Sequence, residues 1–234
     1  MPELAVERSR VSDQVFRILS GEILSGRYPP GELLPTQRRL ATDLGVNMTS
    51  VREAVKRLEQ LRLVESRQGE GMRVRDWRSH SGLDVLVHLV VGPSGLDRHT
   101  LGAVLEARRL MLAEAARLAA ERRSEEQAEL LVELADRVAA AGSVEEAQLL
   151  DFAFFAELVE AAGNVVFVLI TNSIRDLYLE NAAAFLPLLE DRASLVGYYR
   201  RAALAVRARD AARASGAVRR LAEAQERRLL EALS

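Results

Sequence analysis

Arg38, Asn47, Met48, Thr49, Ser50, Arg52, Lys56 and Arg57 fall within one span of 20 residues. An amide, small hydroxyls and cations this close together are groups suited to phosphate oxygens and to the edges of bases. They also keep to one side of the chain. If a helix opens after Asn47, then Val51, Ala54, Val55, Leu58 and Leu61 recur with a helical period, and the set from Met48 to Arg57 occupies the opposite face. The chemistry of an enzyme is not offered in the same way. There is no cysteine, no Gly-rich phosphate loop after a strand, no nucleophile elbow and no cluster of His among the 3 in the chain. Carboxylates are many, but they stand where helix surfaces want them, so no catalytic residue is assigned.

The elements that must position this polar face can be read on both sides of it. Pro35 sets up a helix entry and Thr36 can cap it. Leu40 and Leu44 share a face, and Gly45 ends the run because it tolerates positive φ. Two helices joined by a short Gly-containing turn form a helix-turn-helix, whose second helix enters a major groove N-terminus first. After Leu61 the period changes to two. Leu63, Val64 and Glu65, the turn Gln68-Gly69-Glu70-Gly71, then Met72 to Arg75 predict a β-hairpin. Together these make a winged helix, with the hairpin tip as a groove or phosphate probe. Upstream, Val15, Ile18, Leu19 and Ile23 predict one amphipathic helix over 11–25, followed by a loop over 26–31.

Strand signals vanish from Leu83 onward, and about seven helices with short links are expected there, an antiparallel bundle. Leu83, Leu86, Val87 and Val90 predict a helix ending at Gly92-Pro93, Thr100 is read as the cap of a long one, and Ser124 with Gln127 and Ser143 with Glu146 read as capping boxes. Helices are expected over about 144–162, 165–183, 191–209 and 211–233. The expected organisation is a winged helix-turn-helix domain over 1–75, a linker over 76–82 around Trp77, and an all-α domain over 83–234. Charge divides the same way: residues 1–80 hold 14 Lys and Arg against 11 Asp and Glu, a net +3, and the remainder 18 against 23, a net −5. A basic module on an acidic body is the pattern of a reader attached to a sensor. The absence of cysteine, of a signal peptide and of a long apolar run predicts a soluble cytoplasmic protein with no membrane partner.

The order PPGELLPTQRRLATDLGVNMTSVREAVKRLEQLRLVESRQGEGMRV, residues 29–74, resembles the DNA-binding domain of the GntR family of bacterial regulators. The resemblance implies DNA-contacting roles for Arg38, for Asn47, Met48, Thr49, Ser50 and Arg52 on the second helix, and for Gln68 and Gly69 on the wing. The family usually has Glu where Gln37 stands and Arg where Met48 stands. It also implies a homodimer on a palindromic operator.

SGLDVLVHLV, AVLEARRLM, DFAFFAELVEAAGN and LITNSIRDLY, within about 76–232, resemble the helical effector domain of the FadR-type subgroup. Many of its members hold a metal through one Asp and three His. Here the Asp falls on Asp151, and the His positions fall on Phe155, Tyr199 and near Leu221, none of them His. Phe offers no lone pair, so no metal is expected. His80, Asp84 and His88 could also line one helical face, but such a strip is more often solvated surface. The resemblance points to the metal-free fatty-acid-responsive members, whose effector is a long-chain acyl-CoA. Arg108, Asp151, Phe155, Asn172, Arg175, Tyr178 and Tyr199 are the expected effector residues, and no cofactor is expected. The alternative is a small organic acid, with or without metal, at Asp151 and Arg108 in the same domain.

Overall fold

The structure is a computed structural model and describes residues 3–67, 69–92 and 95–233. It divides into two compact units, Met1–Gly95 and Leu96–Ser234. Among the described residues no helix is long and apolar enough to cross a membrane.

In the first unit, helices α1 (Glu3–Leu24), α2 (Gln37–Asp43) and α3 (Met48–Gln60) are followed by strands β1 (Val64–Arg67) and β2 (Gly71–Val74). The strands pair antiparallel with Val64 opposite Val74 and Arg67 opposite Gly71. The segment before α2 is tied to the same hairpin. Gly31 N donates to Val74 O, Leu34 N to Met72 O and Val74 N to Glu32 O, each at 2.8 Å. Phe16 and Leu19 of α1, Leu40 of α2, Val51, Ala54, Val55 and Leu58 of α3, and Leu63, Met72 and Val74 build one core. Ile18, expected on that face, is 46% exposed, and Phe16 fills the place instead. Positions 15, 16, 19 and 23 share a helical stripe that 18 does not.

The helix ends follow from local chemistry. Thr36 accepts from Arg39 N at 3.3 Å and Asn47 from Ser50 N at 2.9 Å. Gly45 takes φ of 64° beyond α2. Arg62 does the same beyond α3 at 57°, where Leu63 N reaches back to Leu58 O and Arg62 N to Glu59 O, both at 2.9 Å. This is the hydrogen-bond pattern of a Schellman exit, with Arg in the position Gly normally fills.

A joint follows: α4 (Trp77–His80), a 3₁₀ turn (Leu83–Val85) and α5 (Leu86–Val90), then β3 (Val91–Gly92) and β4 (Gly95–Leu96), a second two-stranded sheet. Two expectations change here. A strand pair exists beyond Leu83, and the helix expected to begin the second domain lies in the first unit. Val85 belongs to the winged core, and the ring of His88 meets Phe16 edge-on, 4.9 Å between centroids. The division of the chain therefore falls near residue 95 rather than across 76–82.

The second unit contains α6 (Arg98–Arg122), α7 (Glu125–Ala140), α8 (Val144–Ala161), α9 (Val165–Glu180), α10 (Ala182–Phe185), α11 (Arg192–Arg207) and α12 (Ala211–Ala232). Its most extensive contact joins α6 to α12. Ala113, Ala116, Ala119 and Ala120 on α6, with Ala214, Ala217 and Ala222 on α12, are buried. Their small side chains let long helices pack closely, which accounts for the Ala-rich composition of residues 202–228. Ser124 and Gln127 form the reciprocal capping box. Ser143 caps α8, but the Glu146 carboxylate takes Gly142 N at 2.7 Å, so that box is not reciprocal. The long helix is capped by Asp97, which accepts from Thr100 N at 2.8 Å, and not by Thr100.

Candidate functional site

Two surfaces concentrate polar chemistry, one in each unit. On α3 the outward side carries Thr49, Arg52, Glu53 and Lys56, all exposed. Arg52 and Lys56 make no ion pair among the described residues, and neither does exposed Arg38 on α2. No carboxylate among the described residues pairs with these cations, although Glu53 and Glu59 line the same groove as Arg52 and Lys56. Gln37, Thr49, Arg52, Lys56 and Ser66 help to line an open groove of about 480 Å³ where α2 and α3 meet β1. An open groove with cations, an amide and hydroxyls has groups that suit a duplex backbone and its base edges.

The remaining expected residues divide. Asn47 is exposed, but its side-chain oxygen is engaged in capping α3. Met48 is half-buried against the core. Ser50 is only 1% exposed, so it is not on the outward face where sequence placed it. Arg57 also leaves that face: it pairs with Asp13, and its guanidinium lies 4.1 Å from the Phe16 ring centre. Gly69 sits in the wing turn at φ of 82°, a conformation that disfavours other residues. Gln68 lies outside the described residues. The wing's Arg67 is engaged with Glu65 at 3.2 Å and Glu70 at 3.8 Å.

In the second unit, α6, α8, α9 and α10 wall a cavity of about 80 Å³. Leu105, Met111, Phe152, Phe155, Ile174 and Phe185 make most of it apolar, while Arg108, Asp151, Thr171 and Tyr178 bring polar atoms. Of the expected effector residues, Arg108, Asp151, Phe155 and Tyr178 line the cavity. Tyr199 stands behind the wall, fully buried, and Asn172 and Arg175 are on the exposed side of α9. The resemblance and the need for polar groups at an effector's head suggested these two, but only the side of α9 that carries Thr171, Ile174 and Tyr178 meets the cavity.

A closed polar cluster supports one end of the cavity. Asp151 accepts from Tyr199 Oη and from Gln225 Nε2, the latter at 2.8 Å. Arg108 Nη2 donates to Gln225 Oε1 at 3.1 Å and lies 3.9 Å from Asp151 Oδ2, its guanidinium over the Phe155 ring. Burial pushes the Asp151 carboxyl up; the Arg108 charge and the two hydrogen bonds oppose this. Burial and the neighbouring carboxylate raise Tyr199 as well. Close by, Tyr178 stacks on Phe152 at 5.7 Å, and its buried hydroxyl lies beside Gln148 with no hydrogen bond of ordinary geometry among the described residues. Burial holds that phenol neutral.

Gln225 was missed by sequence reasoning, although a signal existed. It is the lone polar residue on the stripe Ala214, Val218, Leu221, Ala222, Gln225, Leu229 that α12 buries. The metal set of the related subgroup does not fit here. Asp151 is surrounded by Phe155, Tyr199 and Gln225, Leu221 is apolar and fully buried, and a guanidinium already supplies the positive charge. Among the described residues no three His, Cys, Asp or Glu side chains group to hold a metal ion. His80 bonds the Asp76 carbonyl and His88 meets Phe16, so these two do not form the strip with Asp84.

Comparison with known proteins connects the two surfaces. Residues 11–74 match the model of bacterial regulatory proteins of the gntR family, and residues 103–224 match the FCD domain. The chain is 38% identical over 231 residues to the HTH-type transcriptional regulator Mce2R of Mycobacterium tuberculosis, spanning 97% of this chain and 95% of that protein. It is 26% identical to the fatty acid metabolism regulator protein of Proteus mirabilis over 80% of this chain and 77% of that one. The fold is also that of Lar from Listeria monocytogenes, 16% identical with a TM-score of 0.51 over 94% of each chain. These relatives are regulators and not enzymes. With a winged helix-turn-helix ahead of an FCD effector-binding domain, the chain belongs to the gntR family of bacterial transcriptional regulators.

Proposed function

We propose that the protein binds a palindromic operator as a homodimer, that it acts in the cytoplasm on genes of fatty acid metabolism, and that an acyl effector in the FCD cavity controls it. The observation that carries the DNA part is the unpaired cationic stripe: Arg52 and Lys56, beside Thr49, on the outward side of α3. In this reading α3 lies in the major groove. Arg52 grips a base edge or phosphate, Thr49 tunes base choice, Arg38 and Lys56 hold phosphates, and the wing around Gln68 and Gly69 lies in the adjacent groove. Asn47 and Ser50 act indirectly, by fixing the start of that helix. Two copies place two such helices on successive turns of one face of the duplex.

The acyl part draws support from the apolar lining, the buried Tyr178 hydroxyl, which makes no hydrogen bond of ordinary geometry among the described residues, and the fatty acid regulators among the relatives. The hydroxyl can donate to a thioester or carboxyl oxygen, and Arg108 can offset negative charge. A long acyl-CoA needs more than about 80 Å³, since ligand sites for larger molecules usually span roughly 300–1,000 Å³. Its entry therefore requires α9, which rests on α8 and α10, to move outward. The second reading, a small organic acid, is favoured by the cavity's present size. An effector that prefers the displaced α9 would shift the population toward a conformer with altered operator affinity.

Selection of duplexes from random DNA, repeated with palmitoyl-CoA and with hexanoate, tests both parts. Arg52→Ala should lose the selected duplex, and palmitoyl-CoA should change wild-type affinity. Undiminished binding by Arg52→Ala would remove the assignment of α3, while a response to hexanoate alone would select the second reading.

A further inference from the structure

One pattern recurs on two neighbouring helices of the second unit. Gly197-Tyr198-Tyr199-Arg200-Arg201 lies on α11 and Gly216-Ala217-Val218-Arg219-Arg220 on α12, each a glycine with an arginine pair one turn on. The two helices are joined by residues 208–210 and pack side by side. In both, the second arginine folds back over the glycine. A Cβ at Gly197 would stand 3.3 Å from Nη1 of Arg201, and a Cβ at Gly216 3.6 Å from Nη1 of Arg220. Glycine inside a helix is destabilising relative to alanine. Here the bare backbone gives each guanidinium room to lie against its own helix. Arg201 is held further by Tyr198, whose ring centre is 4.6 Å from its Cζ. Both arginines are exposed, and neither makes an ion pair among the described residues.

Both line an open trough of about 500 Å³. Leu204, 45% exposed, with Ala205, Ala208 and Ala217, gives it an apolar floor. Arg213 lines it too, and Asp210, the one carboxylate of the lining, holds that arginine at 3.4 Å. Positions 201, 204, 205 and 208 share one side of α11, and 213, 217 and 220 one side of α12. The trough therefore follows about 10 Å of each helix.

We propose that this trough docks an acidic amphipathic helix of another protein. Carboxylates on the flanks of that helix are taken by Arg201 and Arg220, fork to fork, and its apolar side covers Leu204 and the alanines. Charge argues for this occupant. The chain beyond residue 80 carries a net −5, so two guanidiniums without ion pairs form a local reversal there, which draws an acidic segment and repels a basic one. The chain's own residues 1–80, at net +3, have the wrong sign to lie in it. A duplex backbone matches the guanidiniums but leaves Leu204 uncovered, whereas a helix satisfies both. The docking depends on neither the operator nor the cavity ligand.

The test uses the full chain and a fluorescein-labelled peptide about three turns long, made of Leu, Ala and Glu, with Glu on both flanks of one apolar stripe. A scrambled peptide of the same composition is the control. Fluorescence polarisation should show saturable binding of the first peptide only, weakening as salt is raised. The double variant Arg201→Ala, Arg220→Ala changes two exposed sites. It should keep its circular dichroism and lose affinity at least tenfold, and Leu204→Glu should lose as much with both arginines intact. Absence of saturable binding, equal binding of the scrambled peptide, or undiminished binding by either variant overturns the docking. Two other occupants have signatures of their own, and each overturns it as well. One is a random duplex that loses affinity tenfold in the double variant. The other is a wild-type oligomer that the double variant splits in sedimentation.

Discussion

The outward side of α3 and the wall of the cavity use the same residue types in opposite ways. On α3, Arg52 and Lys56 are exposed and without ion pairs among the described residues, so their charge is available to a partner. Around the cavity, Arg108 is shared between Gln225 and Asp151 and covered by Phe155, so little of its charge is free until something enters. An unpaired cation in water costs almost nothing to maintain and gives attraction at long range. A buried one must be paired, and it acts only when a ligand competes for the pairing. Under the proposed function, one region binds continuously and the other responds.

This contrast can be broken from either side. The largest effect is structural. Leu58→Ala opens the fully buried floor beneath α3 and should destabilise the first unit by about 2–5 kcal/mol, read as a lowered denaturant midpoint. If stability is unchanged, α3 is not held by that core. Arg52→Ala comes next, losing roughly 1–3 kcal/mol of operator affinity, about 5- to 150-fold, without a change in unfolding. Tyr199→Phe removes a hydroxyl from Asp151 without altering volume. It should cost roughly 1–3 kcal/mol of stability and leave DNA affinity in the absence of effector untouched.

Asp151 sharpens the comparison through pH. Its folded carboxyl titrates above its unfolded value of 3.8, so the folded state holds the proton more tightly. The burial penalty applies above the raised value and is relieved as pH falls toward 3.8. Asp151→Asn should remove this slope from a pH series of melting curves, whereas Arg52→Ala should not. The smallest effect belongs to His88. Burial and then Arg57 lower it below 6.5, against the pull of Asp84. The unfolded chain then takes up the proton first, so stability of the first unit should fall as pH drops below 6.5, and His88→Phe should flatten that fall.

The winged unit was legible because its signals are local. Pro35, Thr36, Gly45 and Asn47 punctuate the two helices within a dozen or so residues, and the change of period after Leu61 announces the hairpin. What escaped depended on distant partners. Nothing near Arg57 in sequence says that Asp13 and Phe16, a helix away, will draw it from the recognition side. Ser50 reads as a small polar residue at a helix start, yet the packing of α3 turns it inward. The bundle was legible as helices, capped at Ser124 and Ser143, but the cavity draws on four separate helices. The polar cluster beside it needs α11 and α12 as well. Gln225 could have been singled out only by noticing one amide on an otherwise apolar stripe. Residues 83–90 were correctly read as largely helical and assigned to the wrong neighbour, since periodicity tells which side is apolar and not what covers it.

The exit from α3 has a mechanical consequence. Arg62 holds a left-handed backbone that glycine would occupy with less strain, and its guanidinium reaches the His80 carbonyl at 3.3 Å. Ser81 Oγ donates to the Leu61 carbonyl at 2.6 Å. The end of α3 is thus riveted to the chain twenty residues on. The last turn of α3 and the segment at 80–81 cannot part without breaking both of these bonds.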